Sequence, residues 1–160
     1  MKTVDNKMIS DLLLRAAASP RKRINHNLHT ELIDPINRFV NAGIASTYVR
    51  PHRHSLGKWE LVSVLQGGVD LVLFTENGAV KSRLSIGSEN IAVAEIPGGT
   101  WHSFVFRKPS AVMLEVKPGP YEAQNDKEFA EWAPPEDHPS VTSFVRWLGK
   151  ARPGERWRHP

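Results

Sequence analysis

The chain has 160 residues, 40% of them apolar and none of them cysteine. It is therefore long enough for one domain with its own core, and disulfides, thiolate ligands and cysteine nucleophiles are excluded. Lys and Arg outnumber Asp and Glu, 21 to 17, but the excess gathers at residues 21–23 and 146–158. No contiguous basic face for nucleic acid is apparent, and no apolar run reaches the roughly 20 residues of a membrane span.

Residues 1–22 predict an N-terminal helix. Ile9, Leu12, Leu13 and Ala16 fall on one helical face, with Asp5 or Asn6 as cap and Ser19-Pro20 as the stop. Asp11 and Arg15 break the apolar run, which argues against a signal peptide and for a cytoplasmic chain. The next segment sets His26 and His29 among asparagines, and a polar strand pairing with a sheet edge is the favoured reading. Adding to a neighbour's edge, that strand would make a symmetric homodimer. Residues 37–48 read as a strand with a bend or bulge at Gly43.

The central stretch is residues 50–67, RPHRHSLGKWELVSVLQG. His52 and His54 are two apart, so in a strand both rings face one way. After a turn at Ser55, Leu56 and Gly57, Glu60 opens a second apolar run, and a hairpin returns its carboxylate to the two imidazoles. The fourth donor is His102 in PGGTWH, where Pro97, Gly98 and Gly99 make a turn. Further strands are expected at 60–65, 69–74, 80–86, 91–96, 101–106 and 111–116, with turns at Gly67-Gly68 and Asn77-Gly78. Short strands on tight turns predict a mainly β antiparallel barrel or sandwich over residues 23–118.

From Lys117 the composition shifts to Pro, acidic residues and isolated aromatics. Residues 119–160 are expected to wrap the barrel, with Tyr121, Phe129 and Trp132 packed on its outside. A short helix is expected at 140–150, then a mobile basic tail from Arg152, with His138 in a loop.

HxH, a gap, Glu, six residues, Gly, and later PxGxxH resemble the two motifs of the cupin superfamily. That resemblance implies a small antiparallel barrel of the jelly-roll type with His52, His54, Glu60 and His102 as metal ligands. The phrases RPHRH, KWEL, EIPGGTWH, LEVKPGPY and DKEFAEWAP narrow it to the WbuC-type cupin-fold metalloproteins, found among genes for O-antigen and other surface polysaccharides. The likeness runs over residues 11–136. The chain departs from the general pattern at Ser46, where a glycine is usual, at Phe106, where an asparagine is usual, and in the five residues between His54 and Glu60.

Three imidazoles and a carboxylate suit one divalent transition metal, Fe, Mn, Co, Ni, Cu or Zn, and leave two octahedral positions open. A Lewis acid for isomerisation, epimerisation or elimination, an Fe(II) dioxygenase, and a non-catalytic sensor or sugar-binding module all fit. For an enzyme, Tyr48, Glu115 and Lys117 are the candidate bases. Strand parity back from His52 places Arg50 and Tyr48 beside the metal, and His29 is a further pocket candidate. A guanidinium there predicts a small anionic or sugar-like ligand.

Overall fold

The computed structural model describes residues 1–87, 91–122, 124 and 126–158. Helix α1 (Asn6–Ala18) is followed by β1 (Arg23–Asn27), β2 (Ile36–Ile44), β3 (His52–Arg53), β4 (Glu60–Gln66), β5 (Val69–Phe74), β6 (Val80–Ile86), β7 (Val93–Ile96), β8 (His102–Phe106), β9 (Ser110–Pro118), β10 (Glu128–Phe129) and α2 (Val141–Leu148). The strands form two antiparallel five-stranded sheets, ordered β1-β2-β9-β4-β7 and β10-β3-β8-β5-β6. This is the jelly-roll barrel that the motif spacing predicts.

Alternation along β2 and β9 divides the apolar surface. Val40, Ala42 and Val112 turn outward and receive Ile9, Leu12 and Ala16 of α1, whose start is capped by the Asp5 carboxylate accepting from the Met8 N–H at 2.8 Å. Facing inward, Ala111 and Met113 join Val62, Leu71, Ile86, Phe104 and Phe106 in the core between the sheets. The inward residues farther along the same strands are polar. One end of the barrel is thus filled, and the other is left for a site.

Several expectations are corrected. Gly43 makes no bulge: it pairs with Arg23 and Ala111 in an unbroken ladder. Its missing side chain instead admits the Phe106 ring, which a Cβ would meet at 2.8 Å. The segment 23–27 does pair with a sheet edge as expected, that of its own β2, and β1 thereby becomes the edge strand of that sheet. The basic tail is packed. Val80 N–H donates to the Glu155 carbonyl, Gly154 N–H to the Val80 carbonyl, and Trp157 lies 5.3 Å from Phe144 and 5.7 Å from Trp147. The one indole of the tail packs on Phe144 and Trp147 of α2 and holds the segment in place, so composition misjudged it. The last two residues of that tail lie outside the described residues.

Glu136 ties the wrap to β1. It accepts two hydrogen bonds from Arg21, at 2.8 and 2.7 Å, and one from Arg23 at 2.6 Å. Burial alone would raise its carboxyl, but the two guanidiniums overcome that and hold it below the usual range. Because the folded value is the lower one, this stabilisation is complete above about pH 4.3, the unfolded value, and is lost as pH falls through the folded value. Melting curves between pH 3 and 6 should therefore show a weaker acid dependence in Glu136→Gln than in the parent protein. Parallel curves would mean the cluster adds nothing.

Candidate metal centre

His52, His54, Glu60 and His102 come together, all buried, with one donor atom from each lying within 4.8 Å of the others. The strand carrying the HxH pair is shorter than expected, since β3 ends at Arg53. His52 nevertheless sits directly opposite His102 on β8, with ring centroids 4.4 Å apart, and the His52 and His54 rings are 5.4 Å apart at 86°. The five-residue gap before Glu60 closes as a turn, Lys58 N–H donating to the Ser55 carbonyl at 2.9 Å. That turn lies on the PGG segment. Gly99 N–H donates to the His54 carbonyl at 2.8 Å, and a Cβ on Gly98 would collide with the carbonyl oxygens of Ser55 and Leu56. The glycines before His102 and the turn before Glu60 thus place two donors in one contact.

The rings are aimed by their other nitrogens. Nδ1 of His52 faces the Arg50 carbonyl at 2.9 Å, Nδ1 of His102 faces the Thr100 carbonyl at 2.9 Å, and Nδ1 of His54 faces the Asp126 carbonyl. A carbonyl only accepts, so each Nδ1 carries the proton and donates it, and each Nε2 presents a bare lone pair. Nε2 of His54, Nε2 of His102 and Oε2 of Glu60 have no hydrogen-bond partner, although Glu60 Oε2 lies 3.0 Å from His102 Nε2. Buried acceptors converging without donors are costly unless a cation is shared among them, and these residues fit a metal on that ground.

The charges around them support the same donor set. Burial and the neighbouring His102 push the His52 imidazole well below its ordinary value, which keeps it neutral. Burial would raise Glu60, but the hydrogen bond from Glu115 and the adjoining imidazoles hold it well below the carboxylate range. Glu115 takes the opposite course: burial and the Glu60 charge push it well above the usual range.

A cavity of about 390 Å³ opens from the centre, and Arg50, Glu115, Lys117 and His29 line it. Arg50 donates through Nη2 to the Ala130 carbonyl at 2.9 Å and lies over the Phe129 ring at 5.2 Å, while its Nε has no partner. Lys117 is buried and bonds Asp126 at 2.8 Å. Burial lowers it, but Glu115, Glu60 and Asp126 together raise it, so it stays an ammonium. His29 is locked by the backbone of Arg38, whose N–H approaches its Nδ1 at 3.1 Å.

Tyr48 is not at the cavity. Its hydroxyl donates to the Pro134 carbonyl at 2.8 Å, and its ring packs 5.4 Å from Phe144. The chain between Ile44 and His52 is not a strand, so parity from the histidines does not run back to residue 48. Tyr121 and Phe129 are a second correction. They line the cavity with Asp126 and Lys127, so residues 121, 122 and 126–130 lie as a strap across the site, whereas Trp132 does pack outside, 4.9 Å from Phe74. Asp126, which orients His54 through its carbonyl and pairs with Lys117 through its carboxylate, opens the phrase DKEFAEWAP, though neither contact is legible from that phrase. The strand alternation of Asn25 and Asn27, and of Asn37, Phe39 and Asn41, was a legible sign of a polar inner face.

Two facing antiparallel sheets around this donor set define a cupin-fold protein with a three-histidine, one-glutamate centre suited to a divalent metal. The chain belongs to the family described as a domain of unknown function (DUF6016). It matches that family over residues 4–86, which include His52, His54 and Glu60 but not His102. Comparison with curated proteins gave no match. Among solved structures it is similar to the capsular polysaccharide assembling protein CapF from Staphylococcus aureus, with 16% identity over 71% of this chain and 33% of that one and a TM-score of 0.59. It is also similar to TT1209 from Thermus thermophilus, with 16% identity over 74% and 97% and a TM-score of 0.55. A third is an oxalate oxidase in complex with the substrate analogue glycolate, with 16% identity over 81% and 68% and a TM-score of 0.53. The chain spans about a third of the length of CapF. At such identities the likeness carries the fold. No described helix is long and apolar enough to cross a membrane.

Proposed function

We propose that this protein is a WbuC-type metalloprotein that holds one divalent transition metal on His52, His54, Glu60 and His102 and acts on a small oxygen-rich acid. Surface-polysaccharide assembly is the setting proposed, supported by the sequence phrases and by the likeness to the capsular polysaccharide assembling protein CapF. The observation that carries the reading is that the carbonyl-locked imidazoles of His54 and His102 turn Nε2 to Glu60 Oε2 at 3.6 and 3.0 Å, all three atoms without a hydrogen-bond donor among the described residues.

When bound, the metal supplies Lewis acidity, which lowers the pKa of a coordinated hydroxyl or polarises a carbonyl. The chain's residues do the rest. Arg50, bonded to the Ala130 carbonyl and set over the Phe129 ring, lines the cavity and binds the ligand's anionic group. Glu115, which accepts from the Asn41 carboxamide at 2.7 Å, lines the cavity beside Glu60 and is placed to exchange a proton with the ligand. The strap through Tyr121 and Phe129 limits water.

Metal content of the untagged protein, followed by turnover of nucleotide sugars and sugar acids under air and under argon, tests the assignment. A metal-free protein, or consumption of dioxygen during turnover, would overturn it. For the pocket charge, Arg50→Leu should weaken binding of citrate or a hexuronate by about 1.5–3 kcal/mol with the metal retained. Calorimetry showing equal binding of neutral hexoses and these acids would remove the anionic ligand.

A further inference from the structure

Resting on that reading, the cavity carries a second recognition point away from the metal. Asn37 on β2 is 2% exposed and lines the cavity, yet among the described residues neither its Nδ2 nor its Oδ1 has a hydrogen-bond partner. Its place is set by register. Leu61 pairs with Val116, so Glu60 stands beside Lys117, and Lys117 pairs with Asn37. Glu60, Lys117 and Asn37 thus occupy one row across β4, β9 and β2, and two strand spacings, roughly 10 Å, separate the metal ligand from the carboxamide.

The middle of the row is closed to an anion, because the Lys117 ammonium is engaged by Asp126 at 2.8 Å. A carboxamide offers one donor side and one acceptor side, which complements a hydroxyl, itself donor and acceptor. A second carboxylate would face Oδ1 unfavourably, and an ammonium would face Nδ2. Allowing for the reach of both side chains, a chain of five or six carbons spans from the metal to Asn37.

We infer that the cavity binds a polyhydroxylated acid of five or six carbons by two points: its acid end at the metal and Arg50, and a distal hydroxyl on the Asn37 carboxamide. Nothing covalent is involved. The test is calorimetry on metal-loaded protein with D-gluconate and with 2-hydroxyhexanoate, which share a 2-hydroxy acid end and a length but differ in the four distal hydroxyls.

Gluconate should bind more tightly than 2-hydroxyhexanoate, and Asn37→Leu should weaken gluconate binding by about tenfold, the scale of one lost hydrogen bond, and so lower that preference with metal content unchanged. Asn37→Ala, which adds no bulk, should show the same loss if the leucine variant fails to fold. A preference that survives in the folded variant, or one absent from the parent protein while 2-hydroxyhexanoate binds, overturns the second point alone. Failure of both acids to bind metal-loaded protein overturns the acid end and with it the reading of the site.

Discussion

His102→Ala is expected to strip the metal. His102 is 1% exposed and faces both His52 and Glu60, and removing it leaves three donors around a gap that the neighbouring strands cannot close. Loss of an outer hydrogen bond to a ligand typically costs about 10–100-fold in metal affinity, and loss of the ligand itself should cost more. His52→Ala should behave alike. Glu60→Gln should bind more weakly but measurably, because the amide keeps an oxygen donor and loses the charge. Metal analysis after gel filtration checks this. A full equivalent retained in both histidine variants would place the metal elsewhere. The folded state should be confirmed against parent protein stripped with a chelator, since apo protein is the proper reference for a ligand-deficient variant.

The second large effect is on stability. Phe144 on α2 is fully buried and contacts Tyr48, Trp147 and Trp157 at ring separations of 5.3 to 5.4 Å. Phe144→Ala should destabilise by about 3–5 kcal/mol, which for a chain of this size lowers Tm by roughly 10 °C. Urea unfolding gives the number directly. A change below about 1 kcal/mol would mean that α2 and the tail are not part of the cooperative unit. Because Tyr48 and Trp101 belong to the same cluster and stand close in sequence to His52 and His102, this helix also supports the site from behind. Metal stoichiometry of the folded variant should still be unchanged, since no ligand touches Phe144.

The two mutations fall on either side of what can be read without coordinates. Hairpins were legible because each is set by local chemistry: Gly67 and Gly78 sit at positive φ where β4 meets β5 and β5 meets β6, and β5 and β6 run over the residues the apolar alternation marks. The donors were legible because HxH, the following Glu and PGGTWH lie at the ends of neighbouring strands. The helix α1 was legible through its stripe and its Asp5 cap.

What lay beyond the sequence was long-range. Whether the wrap covers the barrel's outside or its mouth depends on Asp126 meeting His54 and Lys117, and on Phe129 pairing with His52. No local rule weighs those contacts. Tyr48 and Arg50 share a strand parity on paper, but Pro51 and the irregular backbone before it send the phenol into the α2 cluster and the guanidinium into the cavity. The charge states of Glu115 and Lys117 likewise follow from burial beside Glu60 and Asp126, an environment that exists only once β4, β9 and the strap are assembled. Periodicity and turn chemistry act within about ten residues and so determined the elements, while the ligands were named through the motif resemblance. The ligand pocket is made of register between strands far apart in the chain, which only the tertiary structure decided.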